Sequence, residues 1–296
     1  MRFTLRQLQI FLSVAHHQNL TKAANELAMS QSAASSALKE LEERYDVQLF
    51  DRIGKSLQLN EQGQYVRNKA EALIAHAEEL ERSLLKHADA GPISVGATLS
   101  IGNYLAVRLI AKYMEINPDS HVGLHVANTQ DIVEKVLNYD LDIGLIEGDI
   151  NHHDLKVYPW MTDELAIFCR PEHPLAAKQQ QHGCIQESDL IDAKWIIREP
   201  GSGTRQAFER VMHGIFPQLN IILELQHTEA IKRAVEAGLG IGCLSMITLE
   251  DAFERGSLVR LQLPDWNFER QLYLIIRKQK YLSTGIQSWM DYCLEN

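Results

Sequence analysis

The chain has 296 residues, 45% of them hydrophobic, and a formal charge of −10. That length allows two or three domains with real cores, and no stretch approaches the about 18 consecutive apolar residues of a membrane span. The N-terminus MRFTLRQLQIF has neither an unbroken apolar run nor a small-residue cleavage site, so a cytoplasmic protein without membrane association is expected. Cys169, Cys184, Cys243 and Cys293 lie far apart without paired ligand spacing, which fits reduced structural thiols better than a disulfide frame or a metal site. The negative charge is unevenly spread. Residues 1–60 carry seven Lys and Arg against six Asp and Glu, and the remainder carries 22 against 33. The acidity therefore belongs to the later part, and a local basic face for nucleic acid remains open at the N-terminus.

In chain order, Leu5 to His16 predicts a first helix, with Leu8, Phe11, Leu12 and Ala15 among its buried positions. The stretch Leu20 to Glu42 then shows Ala23, Ala24, Leu27, Ala34, Leu38 and Leu41 in two helical registers, interrupted by Met29-Ser30-Gln31-Ser32 as a tight turn. This predicts a helix-turn-helix. Small Ala23 and Ala24 suit a close helix crossing, and Thr21 or Ser30 can cap a following helix. Gln31, Ser32, Ser35, Ser36 and Lys39 face outward, as short hydrogen-bonders do on a helix whose first turns enter the major groove, with Lys39 reaching phosphate. An alanine-rich helical hairpin packed on protein is the competing reading. Val47 to Arg52 and Ser56 to Leu59 alternate around Ile53-Gly54-Lys55, which predicts a hairpin. Beside a helix-turn-helix it would be a wing, with Arg52 and Lys55 touching the DNA backbone or minor groove, although solvated charges on an ordinary hairpin remain open.

Asn60 is a good cap for a long helix to about Ala88. Val66, Ala70, Leu73, Ala77, Leu80, Leu84 and His87 follow heptad spacing, flanked by charged residues including Arg67, Glu71 and Glu78. A second copy of the same helix is the expected partner, with burial inside one chain as the alternative. A dimer would set two recognition helices at a spacing suited to a palindromic site. Ala90-Gly91-Pro92 marks a domain boundary.

Beyond it, short apolar strands alternate with helices: Ile93–Ala97, a helix 101–117, Val122–Val126, a helix 129–138, Leu141–Ile146, then Leu165–Cys169, Trp195–Arg198, a helix 204–214, Ile221–Leu225, a helix 229–237 and Ile241–Leu244. The alternation predicts parallel sheets covered by helices. The chain is expected to cross between two lobes near Tyr158–Asp163 and again near Trp266–Arg270, leaving a strand 271–277 and a helix 283–294. In such sheets ligands bind beyond the strand carboxyl ends. The loops there carry Thr98, Ser100 and Asn103; Glu147-Gly148-Asp149; and Ser202, Gly203, Thr204 and Arg205 opening a helix. Hydroxyls and free N–H groups at helix N-termini make a candidate anion site, with ordinary caps and turns as the alternative. Arg205 in a first helical turn calls for a negative neighbour. Gly238, Gly240 and Gly242 precede a strand, so tight packing is expected there over dinucleotide binding. His16-His17 and His152-His153 could bind metal, but neighbouring side chains on a regular element diverge, so surface placement is expected and neither metal nor cofactor is assigned. No nucleophile, base and orienting acid can be assembled, which argues against an enzyme.

The stretch TLRQLQIFLSVAHHQNLTKAANELAMSQSAASSALKELEERYDVQLFDR resembles the DNA-binding domain of LysR-type transcriptional regulators almost position by position, and the resemblance extends over essentially the full chain. It implies an α/β protein with a winged helix-turn-helix at 1–59, a dimerising linker helix at 60–90 and a two-lobed, periplasmic-binding-protein-like effector domain at 91–296. Lobe 1 would comprise 91–161 and 268–296, and lobe 2 would comprise 162–267, with tetramers a common assembly. GNY, DIGLIEG and RExGSGTR are similar to the branch near regulators of sulfur and sulfite metabolism and of carbon fixation. In related sulfur regulators, hydroxyls matching Thr98, Ser100 and Ser202 to Thr204 hold effector anions. Glu147 departs from a small hydroxyl residue in some relatives and would repel a fully ionised anion unless Arg205 or a proton compensates. The resulting expectation is a ligand-responsive regulator of double-stranded DNA sensing a small anion, with sulfite the leading candidate. A solute-binding protein without specific DNA affinity, or a regulator with a non-anionic effector, is the alternative.

Overall fold

The computed structural model describes residues 2–54, 56–84, 91–264 and 266–295. The chain divides into two compact units, Met1–Gly91 with Lys278–Gln287, and Pro92–Arg277 with Ser288–Asn296.

The first unit begins with α1 (Leu5–His17), α2 (Leu20–Glu26) and α3 (Gln31–Tyr45). Asn19, not Thr21, caps α2, because its side-chain oxygen accepts from Thr21 N at 2.9 Å and Lys22 N at 3.1 Å. Ser30 caps α3 by accepting from Ala33 N at 3.2 Å. Gln31 and Ser32 therefore belong to the first helical turn, and the tight turn sits earlier than the expected Met29–Ser32, around Ala28 at φ 52°. Phe11, Ala23, Ala24, Ala34, Leu38 and Leu41 share one buried core. β1 (Phe50–Ile53) pairs antiparallel with β2 (Ser56–Leu59), Phe50 opposite Leu59. Phe50 also meets Phe11 edge-on with ring centroids 5.5 Å apart. Gln18, in the left-handed region at φ 51°, ends α1, and its carbonyl accepts from Leu57 N at 3.0 Å and Ser56 Oγ at 3.3 Å.

α4 (Glu61–Leu84) starts at the expected cap. The Asn60 carboxamide accepts from Gly63 N at 2.8 Å and donates to Gln48 O at 2.9 Å. A Cβ on Gly63 would lie 2.1 Å from Leu49 O, so the helix approaches the hairpin backbone more closely than any side chain allows. The heptad seam divides. Val66, Ala70 and Leu73 pack into the unit's own core, whereas Leu80 and Leu84 are 62% and 75% exposed. Arg67, expected among the exposed flanks, is buried with its Nε 3.8 Å from Glu71. His87, Ala88 and Ala90 lie outside the described residues.

In the second unit, one lobe is built on β3 (Pro92–Thr98), β4 (His121–Ala127) and β5 (Ile143–Glu147), and the other on β7 (Lys194–Arg198), β8 (Asn220–Leu225), β9 (Ile241–Ser245) and the short β10 (Val259–Arg260). β3 is parallel to β4 and β5, and β7 is parallel to β8 and β9. The expectation of purely parallel sheets is corrected by two long strands. β6 (Leu155–Cys169) and β11 (Glu269–Arg277) pair antiparallel with each other, and their neighbours join everything into a single sheet of order β4-β3-β5-β11-β6-β9-β7-β8. The crossing expected near Tyr158–Asp163 is extended strand within β6, whereas that near Trp266–Arg270 becomes strand only at Glu269, where β11 begins; strand pairing keeps backbone hydrogen bonds satisfied between lobes. Helices at Pro174–His182, Glu187–Asp192 and Met246–Glu254 were not expected. The helix after β3 runs over residues 99–116 with a π turn at Gly102–Ala106.

Asn60→Ala removes one acceptor and one donor where hairpin and α4 meet, and is expected to lower the unfolding free energy by about 1–2 kcal/mol, read by urea titration followed by circular dichroism.

Candidate functional site

Two surfaces collect the expected site residues. On the first unit, Thr21, Gln31, Ser32, Ser36 and Lys39 are exposed and Ser35 is half-buried, so the first two turns of α3 form a polar face. The Ser30 and Ser32 hydroxyls lie 3.1 Å apart. Lys39 Nζ is 3.2 Å from Glu43, with both side chains mostly exposed. Such a pair is worth little and yields readily to a phosphate. Arg52 is exposed on β1, and Lys55 lies outside the described residues. Arg44 is spent elsewhere, on Glu40 and the Arg2 carbonyl.

The second surface is the cleft between the lobes of the second unit. The carboxyl end of β5 brings Glu147 to its floor, 1% exposed. One carboxylate oxygen accepts from Thr204 Oγ1 at 2.9 Å and, at the 3.5 Å limit, from Ser100 Oγ. The other accepts from Arg270 Nη2 at 2.9 Å. Arg270 also donates through Nε to Asp163 at 2.7 Å and through Nη1 to Thr204 Oγ1 at 3.2 Å. Asp163 accepts from Ser245 Oγ at 2.9 Å. One buried guanidinium thus serves two buried carboxylates. Burial pushes the Asp163 carboxyl above its ordinary range, against the pull of Arg270 and Ser245.

The lobes meet tightly beside this cluster. Thr129 Oγ1 donates to Glu147 O at 2.9 Å and accepts from Gly203 N at 3.0 Å. An added Cβ on Gly203 would sit 1.9 Å from Glu147 O, so only glycine permits this approach. Gln206 accepts from Asp149 N at 3.0 Å. A second bridge joins Tyr104 to Glu229, with Lys232 Nζ donating to Tyr104 OH at 3.1 Å, Glu229 at 2.7 Å and Thr248 O at 2.9 Å. Burial opposes the Lys232 charge, but Glu229 and Tyr104 outweigh it and hold its pKa above the ordinary value.

Of the expected effector residues, Thr98, Ser100, Glu147, Ser202, Gly203 and Thr204 are buried. Ser202 Oγ caps its helix by accepting from Arg205 N at 3.5 Å. Thr98 Oγ1 is buried without a hydrogen-bond partner. Asn103 is exposed. Arg205 turns to Glu209 and to Glu224 at 2.8 Å, which supply the negative neighbours its position in a first turn requires. Compensation of Glu147 therefore comes from Arg270, not Arg205. Arg270 and Asp163 are Cα partners on β11 and β6. An Arg and an Asp at the two expected crossings were the available signal, since opposite charges favour facing positions on paired strands.

The glycines read as packing residues are so. A Cβ would lie 2.2 Å from Lys194 O at Gly240 and 2.8 Å from the Phe168 ring at Gly242. His16 and His17 end α1, with His17 Nε2 3.2 Å from Glu26. His152 and His153 lie in a turn before β6 instead of on a regular element. No described helix is long and apolar enough to cross a membrane.

With this geometry, comparison with known proteins is informative. The family pattern "Bacterial regulatory helix-turn-helix protein, lysR family" matches residues 5–64, and "LysR substrate binding domain" matches residues 86–296. The chain is 40% identical over 293 residues to the uncharacterized HTH-type transcriptional regulator YeiE of Escherichia coli strain K12, covering 99% of this chain and 98% of that protein. It is 32% identical over 296 residues to the RuBisCO operon transcriptional regulator of Allochromatium vinosum, covering 99% and 96%. The solved regulatory domain of CcmR from Synechocystis PCC6803, in complex with 2-PG, aligns with a TM-score of 0.63 at 30% identity, covering 69% of this chain and 96% of that one.

Arg270→Met strands two buried carboxylates and is expected to cost about 3–5 kcal/mol near neutral pH. An acid whose folded pKa is raised binds more protons folded than unfolded, so stability is present at low pH and lost as pH rises through that pKa. The deficit of the variant should therefore shrink towards pH of about 4, measured by urea unfolding across pH.

Proposed function

The chain belongs to the LysR family of transcriptional regulators, and from that premise we propose which residues read DNA, how copies pair and what class of effector the cleft accepts. Gln31, Ser32, Ser35 and Ser36 read base edges, and Thr21, Lys39, Arg52 and Lys55 hold the backbone. Exposed polar groups on the first turns of α3 support this assignment. Because Val66, Ala70 and Leu73 are used internally, pairing with a second copy falls to the exposed seam of Leu80 and Leu84. A palindromic operator, and pairs of dimers forming tetramers, follow from such pairing.

The effector is a small oxyanion that still carries a proton at neutral pH, with sulfite in its protonated form the leading candidate. The carrying observation is the polarity of the cleft floor. Arg270, Thr204 and Ser100 donate into it, and the buried Thr98 hydroxyl lacks a partner. The Glu147 carboxylate already takes those donors. A fully ionised anion would meet its charge, whereas a protonated oxyanion can donate its O–H to it and keep the guanidinium shared. Ser202, Gly203 and Arg205 also line a cavity with Thr129 and Gln130. A ligand there shifts the regulator only through its different affinity for alternative lobe arrangements.

On the DNA side, Lys39→Ala should flatten the slope of log affinity against log salt by about one, as expected for one lost phosphate contact. Fluorescence anisotropy on operator DNA reads this, and an unchanged slope removes Lys39 from the interface. On the effector side, thermal unfolding of the full chain is compared with sulfite, sulfate, thiosulfate and small carboxylates. A ligand at about 100 times its dissociation constant stabilises by about 2.7 kcal/mol. Sulfite is expected to raise the midpoint and sulfate not, with the sulfite response lost in Thr98→Ala; Glu147→Gln should relax the discrimination. A panel without effect overturns the anion reading and leaves an uncharged effector.

A further inference from the structure

Outside the cleft, the loop that leaves β5 ends in His152-His153-Asp154 just before β6. On a strand or helix two neighbouring imidazoles would diverge. Here the turn stacks them instead, with ring centroids 4.6 Å apart and planes 21° apart. One ligand atom from each of His152, His153 and Asp154 lies within 4.8 Å of the others. His153 Nε2 is 3.3 Å from Asp154 Oδ2, and His152 Nδ1 accepts from Asp154 N at 3.2 Å. The geometry points to a surface site for a divalent transition-metal ion of the zinc or nickel type, held by two imidazoles and one carboxylate with the remaining positions open to water.

The donor set decides the class of ion. Two imidazoles and a carboxylate suit Zn²⁺, Ni²⁺ and Cu²⁺, whereas Mg²⁺ and Ca²⁺ favour oxygen alone. Bonds of about 2.0–2.2 Å place ligand atoms about 3.4 Å apart around a tetrahedral ion. The ligand atoms must therefore close by up to about 1.4 Å, and one of the stacked rings must turn so that the in-plane lone pairs converge. His153 is 83% exposed and free to turn. The Nδ1 lone pair of His152 meets only a backbone N–H at the long end of the hydrogen-bond range, and a metal exchanges for it at small cost. Arg277 Nη2 lies 4.0 Å from Asp154 Oδ2. At that separation it leaves the carboxylate available. The site shares no residue with the proposed effector set, so the two readings stand or fall separately.

The test is calorimetric titration of the tag-free full chain with ZnCl₂ and with NiCl₂. One equivalent per chain is expected, weakened at least about tenfold by His153→Ala and by Asp154→Asn, since each removes one of three ligands. Binding should also weaken in acid, because protons compete with the metal for ligating nitrogens. Cys184 is the cysteine that is not fully buried, so Cys184→Ser is the control and should leave the affinity unchanged. The absence of saturable binding, or binding that survives both ligand substitutions or disappears with Cys184→Ser, overturns the site. His153 is exposed, so its replacement tests ligation without disturbing the core.

Discussion

The Arg270 guanidinium between Glu147 and Asp163 is the interaction on which the second unit depends. It lies on β11, Asp163 on β6 and Glu147 at the end of β5, so three strands bring charge to one buried point. A buried ion pair is weak support for stability, since desolvation offsets much of the Coulomb gain. Its value here is geometric. Arg270 has fixed donors aimed at two carboxylates, and Thr204 from the opposite lobe joins the same cluster. Opening the cleft at Thr204 disturbs hydrogen bonds that reach both long strands, which makes lobe separation an event with discrete contacts to lose instead of a continuous drift.

The same cluster shows that the net charge of the second half does not decide the polarity of the cleft floor. Net charge sets the long-range field, but Arg270, Thr204 and Ser100 set the local polarity at the cleft floor. Glu147 makes the floor self-compensated. A ligand entering it must match a site that already contains one carboxylate, which raises the demand on the ligand's own donors and is a source of selectivity.

Much of this architecture was readable in the sequence because its signals are local. Asn60, Ser30 and the paired apolar registers of Leu20 to Glu42 announce caps and periods, and the strands of the second unit fell within two residues of their expected starts, apart from the long β6 and the short β10, which was not expected. What was missed depends on distant pairing. Arg270 and Asp163 are 107 positions apart and become partners only when β6 and β11 pair. The helix at Pro174–His182 did carry local punctuation, with Pro174 at its start and Gly183 at its end, but its middle, Lys178 to Gln181, is polar and has a weak apolar stripe. The heptad seam misled in its first half because Val66, Ala70 and Leu73 serve equally well against α1 and α3 as against another copy. Periodicity identifies a buried face without naming what buries it.

The junction of α1 with the hairpin carries a consequence for motion. Gln18 ends α1 and in the same carbonyl receives the hairpin, while Phe11 and Phe50 lock the pair from the core side. The end of α1 and the hairpin are thereby held to each other at one fixed point. Any rearrangement that moves the hairpin must then carry the end of α1 with it.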